Sequence, residues 1–266
     1  CNPVTNLDDA YANRTYIDGA DDFPPRWDAA AAAFRQALGN RAQLGLAYGS
    51  GPRNGFDLFT PDDTPHGTLV FVHGGYWRMF DRSTWSHFAS AALARGWAVA
   101  MPSYDLCPDV RITDITCQIS AAVQAIAART RGPISLTGHS AGGHLVARML
   151  DPQVLPYDVA RRLDTVVPIS PLSDLRPLLQ TSMNDDFRLT PETAAAESPI
   201  FTTDRHPARA AVWVGADERP AFLDQAGWLS EAWDIDMCIA PAKHHFDVID
   251  ALRDPESTLM RLLTDT

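Results

Sequence analysis

One serine of the chain lies in a setting that suits a nucleophile. Ser140 is the middle residue of Gly-His-Ser-Ala-Gly at 138–142, directly after the apolar run 134–137. Glycines at both ends permit a tight turn in which a Cβ atom would collide with neighbouring backbone. A strand, a tight turn and a helix in succession lift the serine hydroxyl above a sheet, where it can attack a carbonyl carbon. A glycine-rich turn without chemistry is the alternative, but the position between strand and helix favours the nucleophile.

A glycine pair follows an earlier apolar run and suits the stabilisation of negative charge. Residues 69–72 lead directly into His-Gly-Gly-Tyr-Trp at 73–77. Consecutive glycines leave backbone N–H groups unshielded, so these groups can donate to the oxyanion that forms when a hydroxyl adds to a carbonyl. We expect Gly75 to be the first donor and Gly74 the second. The N–H of Ala141, at the start of the helix after the serine, would be a further donor.

A serine hydroxyl needs a base, and the chain offers eight histidines. The pair His244 and His245 follows the last expected strand, so its loop can reach back over the sheet to the serine. Three others stand in polar or helical surroundings that favour the protein surface: His66, His87 and His206. The remaining three are close to the glycine turns, where packing or turn roles come first: His73, His139 and His144.

The imidazole needs an acid to orient it. In folds that raise a serine on such a turn, the chain order is serine, acid, histidine, so the acid is expected after the penultimate strand. The run Val-Gly-Ala-Asp-Glu at 214–218 supplies both Asp217 and Glu218 there. The chemistry of the two carboxylates does not choose between them.

The composition excludes several classes of protein. Of the 266 residues, 45% are hydrophobic and 21% are charged, as in soluble globular proteins. A formal net charge of −11 disfavours binding to a phosphate backbone, so we expect no nucleic-acid partner. The chain lacks an apolar run of about eighteen residues and an export signal at its start. We therefore expect no membrane contact and a cytoplasmic location.

The cysteines are spaced as isolated residues. Cys1, Cys107, Cys117 and Cys238 form neither a Cys-x-x-Cys pair nor a zinc-ligand pattern, which suits reduced thiols. We expect no metal and no organic cofactor. A start at Cys1 in place of Met is compatible with a shortened chain, a choice of numbering or a removed leader, which leaves the compartment open. The sequence also leaves open whether the chain forms a homodimer.

The candidate residues require a scaffold of alternating strands and helices. Short apolar runs predict buried strands at 69–72, 97–101, 134–137, 165–170, 211–214 and 235–240. Helical periodicity fills the intervals at 85–92, 112–126 and 222–233. This alternation predicts an α/β fold, with a mostly parallel central sheet flanked by helices, because parallel neighbours need crossover connections. An antiparallel pair is expected within 48–60, at the sheet edge.

The domain organisation expected from this pattern is a single α/β domain over 1–266. Residues 1–45 form an N-terminal extension with an alanine-rich helix around 28–38. Residues 171–207 carry no convincing strand, and they predict a small lid inserted between two strands.

Together these motifs resemble the kynurenine formamidase (arylformamidase) group of the α/β-hydrolase fold, which is related to the hormone-sensitive-lipase-like carboxylesterases. The matching motifs run almost from end to end of the chain: Tyr-Ala-Asn-Arg at 11–14, HGGYW at 73–77, GHSAGGHL at 138–145, DLRPLLQTSMND at 174–185, VGADERPAFLDQ at 214–225 and HHF at 244–246.

The resemblance implies particular site residues. In such proteins the acid is the third residue after the glycine of the VG-containing loop, and the base is the histidine directly before Phe. This implies Glu218 and His245, with Asp217 in reserve. Tyr76, Trp77 and Phe246 are candidates for an aromatic substrate pocket, although packing roles suit each of them equally.

The resemblance also implies a serine hydrolase that cleaves a small acyl amide or ester. N-formyl-L-kynurenine, an intermediate of tryptophan catabolism, is the leading substrate, and related aromatic formamides follow. HGGYW and GHSAGG are shared with general carboxylesterases, so a short-chain carboxylesterase or thioesterase is an alternative. A non-catalytic small-molecule receptor on the same fold is an alternative from another class.

Overall fold

The computed structural model describes residues 6–266, and a single sheet runs through its centre. Within these residues the sheet has eight strands in the order β1-β2-β4-β3-β5-β6-β7-β8. The strands are β1 Ala42–Ala47, β2 Gly55–Phe59, β3 Thr68–Val72, β4 Ala98–Pro102, β5 Ile134–His139, β6 Leu163–Ile169, β7 Arg209–Gly215 and β8 Asp236–Ala240. Strand β2 pairs antiparallel with β1 and β4, and every other pairing is parallel.

Helices cover both faces of the sheet. The α-helices are α1 Leu7–Ala10, α2 Phe23–Leu38, α3 Ser90–Ala94, α4 Ile112–Arg129, α5 Ala141–Arg148, α6 Tyr157–Ala160, α7 Asn184–Phe187, α8 Pro191–Ala196, α9 Pro220–Trp233 and α10 Thr258–Thr264. Short 3₁₀ helices lie at Arg14–Tyr16, Ala20–Asp22, Gly39–Arg41, Arg82–Thr84, Ser86–Ala89, Arg176–Gln180, Pro199–Phe201 and Val248–Arg253.

Each face of the sheet has its own core. Helices α4, α5 and α9 bury apolar side chains such as Ile119, Leu145 and Leu229 against one face. Helices α2, α3 and α10 pack against the other face, where Trp27 and Met260 join one apolar cluster. Burial on both faces explains why the central strands are continuous apolar runs without alternation.

The expected α/β architecture is confirmed, and the six predicted strands lie within about two residues of the observed ones. The predicted helices at 112–126 and 222–233 are also confirmed. The region 85–92 is divided between the 3₁₀ helix Ser86–Ala89 and the short α3, so the prediction of one regular helix there was wrong. Helix α2 begins at Phe23, five residues before the expected start at 28, because prolines are tolerated in its first turn.

The antiparallel pair at the sheet edge lies earlier than expected. Its first strand is β1, and residues 48–54 form the turn before β2, so the range 48–60 was wrong for the first strand. Most of β1 is exposed, with no buried residue along its length. An edge strand of this kind lacks the apolar pattern by which a buried strand is recognised.

Two further parts of the chain contribute residues near the carboxyl ends of the strands, where the candidate residues lie. Residues 6–41 include α2, which packs against one face of the sheet, and Tyr11 and Ala31 are buried. Residues 171–207 contain α7, α8 and two 3₁₀ helices, with no strand among them. Whether 171–207 moves as a lid stays a prediction.

Helix length and the state of the cysteines bear on two further expectations. Within residues 6–266, no helix combines the length and the apolarity needed to cross a bilayer. Cys107, Cys117 and Cys238 are free thiols, and Cys1 lies outside the described residues.

Candidate active site

Ser140 lies on a strained turn between β5 and α5. Its backbone has φ 59° and ψ −115°, which is an uncommon conformation for a residue with a Cβ atom. The turn is held by backbone hydrogen bonds on both sides of the residue. The Ser140 N–H donates to Ile169 O at 2.9 Å, and the Ser140 carbonyl accepts from the His144 N–H at 3.0 Å.

The flanking glycines are required by close approach of backbone atoms within the turn and from the neighbouring strand. A Cβ atom on Gly142 would lie 1.9 Å from the carbonyl oxygen of Val72, at the end of β3. A Cβ atom on Gly138 would lie 2.3 Å from the carbonyl oxygen of Gly142. Neither distance is sterically possible, so the pattern of glycines around Ser140 follows from the packing of this turn against β3.

The HGGYW segment forms a loop against the same turn. A Cβ atom on Gly74 would lie 2.6 Å from His139 O and 3.1 Å from Ser140 Cβ, so this backbone touches the predicted nucleophile. Gly75 has φ 110°, in the region that favours glycine. No hydrogen-bond acceptor of residues 6–266 pairs with the N–H of Gly74 or Gly75. Both groups are therefore available to an oxyanion, as is the Ala141 N–H in the first turn of α5.

The loop is supported from below by His73 and Tyr104. The His73 Nδ1–H donates to Gly74 O at 2.7 Å, and the Tyr104 hydroxyl donates to His73 O at 2.7 Å. The two rings stack at 4.4 Å between centroids. Burial lowers the pKa of His73 to about 4, so the ring is neutral at physiological pH. His73 is thus a packing residue.

The structure brings His245 and Glu218 together. His245 Nδ1 lies 2.6 Å from Glu218 Oε1, and both side chains are almost fully buried. Glu218 Oε2 accepts from the Gly215 N–H at 2.7 Å and from the Ser170 hydroxyl at 2.5 Å. Asp217 is exposed on the same loop. The contact with the imidazole is therefore made by Glu218, and Asp217 takes no part in it.

His139 and Phe222 flank the imidazole of His245, with ring centroids at 4.7 Å and 4.3 Å. The His139 Nε2–H donates to the His245 carbonyl at 2.7 Å. Burial, followed by the neighbouring His245, holds the pKa of His139 well below its usual value of 6.5. A neutral His139 therefore fixes the backbone of the expected base and adds no competing positive charge.

Three other histidines lie away from this cluster. His66 is exposed as expected, whereas His87 and His206 are 3% and 7% exposed, so their expected surface positions were wrong. His87 belongs to a 3₁₀ helix packed against α2 and the 3₁₀ helix Val248–Arg253. His206 is drawn inward because its Nε2–H donates to the Leu155 carbonyl at 2.9 Å.

A cavity of about 320 Å³ opens above Ser140 and His245. Tyr76 and Phe246, two of the three pocket candidates, line it. Trp77 does not line it. Its ring is fully buried against His144 and Phe187, which is the packing role that the sequence left open for it. Other aromatic rings in the wall include those of Trp27, Phe80 and Trp85.

The N-terminal segment lines part of this cavity, which the sequence did not predict. Asp8 and residues 11–15 line it together with Ser182 and Met183. The Tyr76 hydroxyl donates to Tyr11 O at 2.6 Å, and the Ser182 N–H donates to Asp8 Oδ1 at 2.7 Å. In the sequence, the only signal for this part of the cavity was the Tyr-Ala-Asn-Arg motif at 11–14. It contributed to the family resemblance but was given no role in the site.

Within the described part of the chain, no cluster of three or more His, Cys, Asp or Glu side chains is arranged to hold a metal ion. The chemistry that the arrangement itself supports is nucleophilic. It combines a hydroxyl on a strained turn, an imidazole bound to a carboxylate and unpaired N–H groups beside the hydroxyl.

This combination of sheet order, strained serine turn and histidine–carboxylate pair is that of an α/β-hydrolase. Residues 69–263 match the model of the alpha/beta hydrolase family, and the chain belongs to this family. Within it, the expected similarity to kynurenine formamidases is confirmed. The kynurenine formamidase of Salmo salar is 26% identical over 83% of this chain and 80% of its own length.

Two solved structures are also similar. The crystal structure of a candidate thioesterase from Silicibacter sp. TM1040 is 63% identical, with a TM-score of 0.97, and the alignment covers 98% of this chain and 99% of that one. Esterase B from Lactobacillus rhamnosis, in complex with an inhibitor, is 18% identical, with a TM-score of 0.68. That alignment covers 92% of this chain and 93% of the esterase, and it supports the fold alone.

Proposed function

We propose that this chain is a serine hydrolase in which Ser140 is the nucleophile, His245 the base and Glu218 the acid. The observation that carries this proposal is the 2.6 Å contact between His245 Nδ1 and Glu218 Oε1 beside a cavity that Ser140 also lines. Because Glu218 occupies Nδ1, Nε2 is the nitrogen that can accept the serine proton.

The first half of the reaction forms an acyl-enzyme. His245 takes the hydroxyl proton of Ser140 as the oxygen adds to the substrate carbonyl. The N–H groups of Gly75, Gly74 and Ala141 stabilise the oxyanion, and Glu218 stabilises the imidazolium that forms. Collapse of the tetrahedral intermediate breaks the bond to the leaving group, which takes the proton from His245.

The second half releases the acyl group by the same route. A water molecule gives its proton to His245 and adds to the acyl carbon. The ester bond to Ser140 then breaks, and the serine oxygen recovers the proton from His245. A formamide substrate would thus yield an amine in the first half and formate in the second.

We propose an arylformamidase that acts on N-formyl-L-kynurenine or a related aromatic formamide. The wall formed by Trp27, Tyr76, Phe80, Trp85 and Phe246 supports an aromatic substrate, because aromatic rings bury large area and pair favourably. The volume of about 320 Å³ is at the lower end of ordinary ligand pockets, which suits a small molecule. The similarity to kynurenine formamidases supports the formyl group.

Steady-state assays test the substrate class. We expect kcat/KM for N-formyl-L-kynurenine to exceed that for p-nitrophenyl acetate and for an acyl thioester such as acetyl-coenzyme A. The Ser140→Ala variant is the control for turnover at the site. Turnover of the ester or the thioester without turnover of the formamide would contradict the arylformamidase and leave the serine hydrolase in place.

A short-chain carboxylesterase or thioesterase is the second candidate. It is favoured by the 63% identity to the candidate thioesterase from Silicibacter sp. TM1040, a much higher identity than that to the formamidases. The same three substrates distinguish it, since it requires the thioester or the ester to be turned over fastest.

A non-catalytic receptor on this fold is the candidate from another class. A fluorophosphonate probe labels an activated serine covalently, so labelling of wild-type protein that is lost in Ser140→Ala supports the hydrolase. Folded protein that binds aromatic formamides but shows no labelling would support the receptor.

A further inference from the structure

The end of strand β6 contacts both the nucleophile turn and the acid. In the sheet, β6 lies between β5, which leads to Ser140, and β7, which leads to Glu218. The Ile169 carbonyl, at the end of β6, accepts the Ser140 N–H at 2.9 Å. The next residue, Ser170, donates its hydroxyl to Glu218 Oε2 at 2.5 Å. Two consecutive residues thus connect the two ends of the proposed catalytic set.

Ser170 is held in place by its own backbone. It is fully buried, and its N–H donates to Trp213 O of the neighbouring strand at 2.6 Å. Its φ is 47°, in the left-handed region that a residue with a Cβ atom adopts rarely. A strained, buried serine whose hydroxyl points to a carboxylate is typical of a functional constraint, because the backbone strain has to be offset by neighbouring contacts.

Glu218 depends on hydrogen bonds for its stability as an anion. Within residues 6–266, Glu218 forms no ion pair with Lys or Arg. Its one ion-pair partner is the His245 ring. A buried carboxylate without a permanent cation has to be stabilised by donors. Oε2 has two such donors, the Ser170 hydroxyl and the Gly215 N–H. Of these, the Ser170 hydroxyl is the one that a side-chain substitution can remove.

We propose that Ser170 is a positioning residue that acts on the reaction through Glu218. Its hydroxyl holds the carboxylate in the rotation that presents Oε1 to His245 Nδ1 and stabilises its negative charge. The inference rests on the proposed function, because it gives Ser170 a role only if His245 is the base. Without the hydroxyl, the carboxylate can rotate about its terminal bond and stabilises the imidazolium less well in the transition state.

The experiment compares Ser170→Ala with Ser135→Ala as the matched control. Ser135 is also fully buried, and its hydroxyl donates to the Leu263 carbonyl at 2.7 Å, away from the catalytic residues. With p-nitrophenyl acetate, Ser170→Ala should lower kcat roughly 10- to 100-fold, the effect of losing a hydrogen bond to a charged group. KM should stay within about twofold, since the hydroxyl does not touch the substrate. Ser135→Ala should leave kcat within about twofold.

A second variant guards against loss of folding. Ser170→Gly also lacks the hydroxyl, and glycine suits the left-handed backbone at this position. It should therefore fold and show the same loss of kcat. The thermal unfolding midpoints of both variants are measured alongside their activity.

A double-mutant cycle with Glu218→Gln separates positioning from a general structural role. If Ser170 acts through Glu218, Ser170→Ala should change kcat less than about twofold in the Glu218→Gln background. Additive losses, or a Ser170→Ala enzyme as active as Ser135→Ala, would overturn the role of Ser170 while leaving the serine hydrolase intact. A wild-type protein that turns over no acyl substrate would instead contradict the proposed function and this inference with it.

Discussion

His245 Nδ1 lies 2.6 Å from Glu218 Oε1, although the two residues are 27 positions apart in the chain. One follows β8 and the other follows β7, and these two strands are parallel neighbours. Loops at the same end of adjacent parallel strands meet above the sheet, which is where the Ser140 turn also lies. The contact between base and acid is therefore a consequence of the strand order.

Loss of the Ser140 hydroxyl should abolish turnover. We expect Ser140→Ala to lower kcat by about a million-fold, the loss seen when the nucleophile of a serine hydrolase is removed. Because Ala tolerates the buried site, the unfolding midpoint should change little. Discontinuous or single-turnover assays with p-nitrophenyl acetate measure this loss of activity. Residual activity above a few per cent would rule out this serine as the nucleophile.

The two carboxylates of the acid loop should differ sharply. Glu218→Gln keeps the shape of the side chain but loses the charge that stabilises the imidazolium, so kcat should fall on the order of a thousand- to ten-thousand-fold. Asp217→Asn is the matched control, and its exposed side chain predicts a change within about twofold. Steady-state kinetics of both variants check this, and the reverse ranking would transfer the role to Asp217.

Substitutions of Phe246 and Trp77 should have different effects, the first on substrate binding and the second on folding stability. Phe246 lines the cavity, so Phe246→Ala should raise KM for an aromatic formamide roughly 3- to 10-fold through lost ring contacts and leave KM for an aliphatic ester such as ethyl acetate less affected. Trp77 is fully buried outside the cavity, so Trp77→Ala should cost about 3–5 kcal/mol of unfolding free energy. Urea unfolding and steady-state kinetics are measured on both variants. A selective effect of Trp77→Ala on the KM of a folded enzyme would return that residue to the pocket.

Buried histidines should make the protein less stable in mild acid. Burial lowers the pKa of His144 to about 4, whereas an unfolded histidine titrates near its ordinary value of 6.5. Between these values the unfolded chain binds the proton and the folded chain does not, so the stabilising contribution is complete above about pH 6.5 and is lost as the pH falls towards 4. Each such histidine contributes a slope of up to about 1.4 kcal/mol per pH unit.

Urea unfolding between pH 4.5 and about 7.5 measures this slope. His144→Gln should reduce it, because glutamine does not titrate and can still donate to the Glu197 carbonyl, which His144 Nε2 contacts at 2.8 Å. His66→Gln is the matched control for the loss of an exposed histidine. An unchanged slope in His144→Gln would show that this ring takes up its proton over the same pH range in the folded and unfolded chains.

Local features were readable from the sequence by itself. The strand, glycine turn and helix around Ser140 depend on residues within a few positions of one another, and so do the glycine pair at 74–75 and the apolar runs of the central strands. Steric limits on the backbone act over this short range, which is why residue types and spacing were sufficient there.

Other features required the tertiary structure. The sequence left Asp217 and Glu218 equivalent until a family resemblance ranked them, and only the folded loop shows which carboxylate faces His245. The tertiary structure also decided three other features. These are the lining of the cavity by residues 11–15, the burial of Trp77 and the hydrogen bond from the Ser170 hydroxyl to Glu218. These contacts join segments that are distant in sequence, and the packing of the whole chain selects them, because no local preference specifies which distant side chain fills a given space.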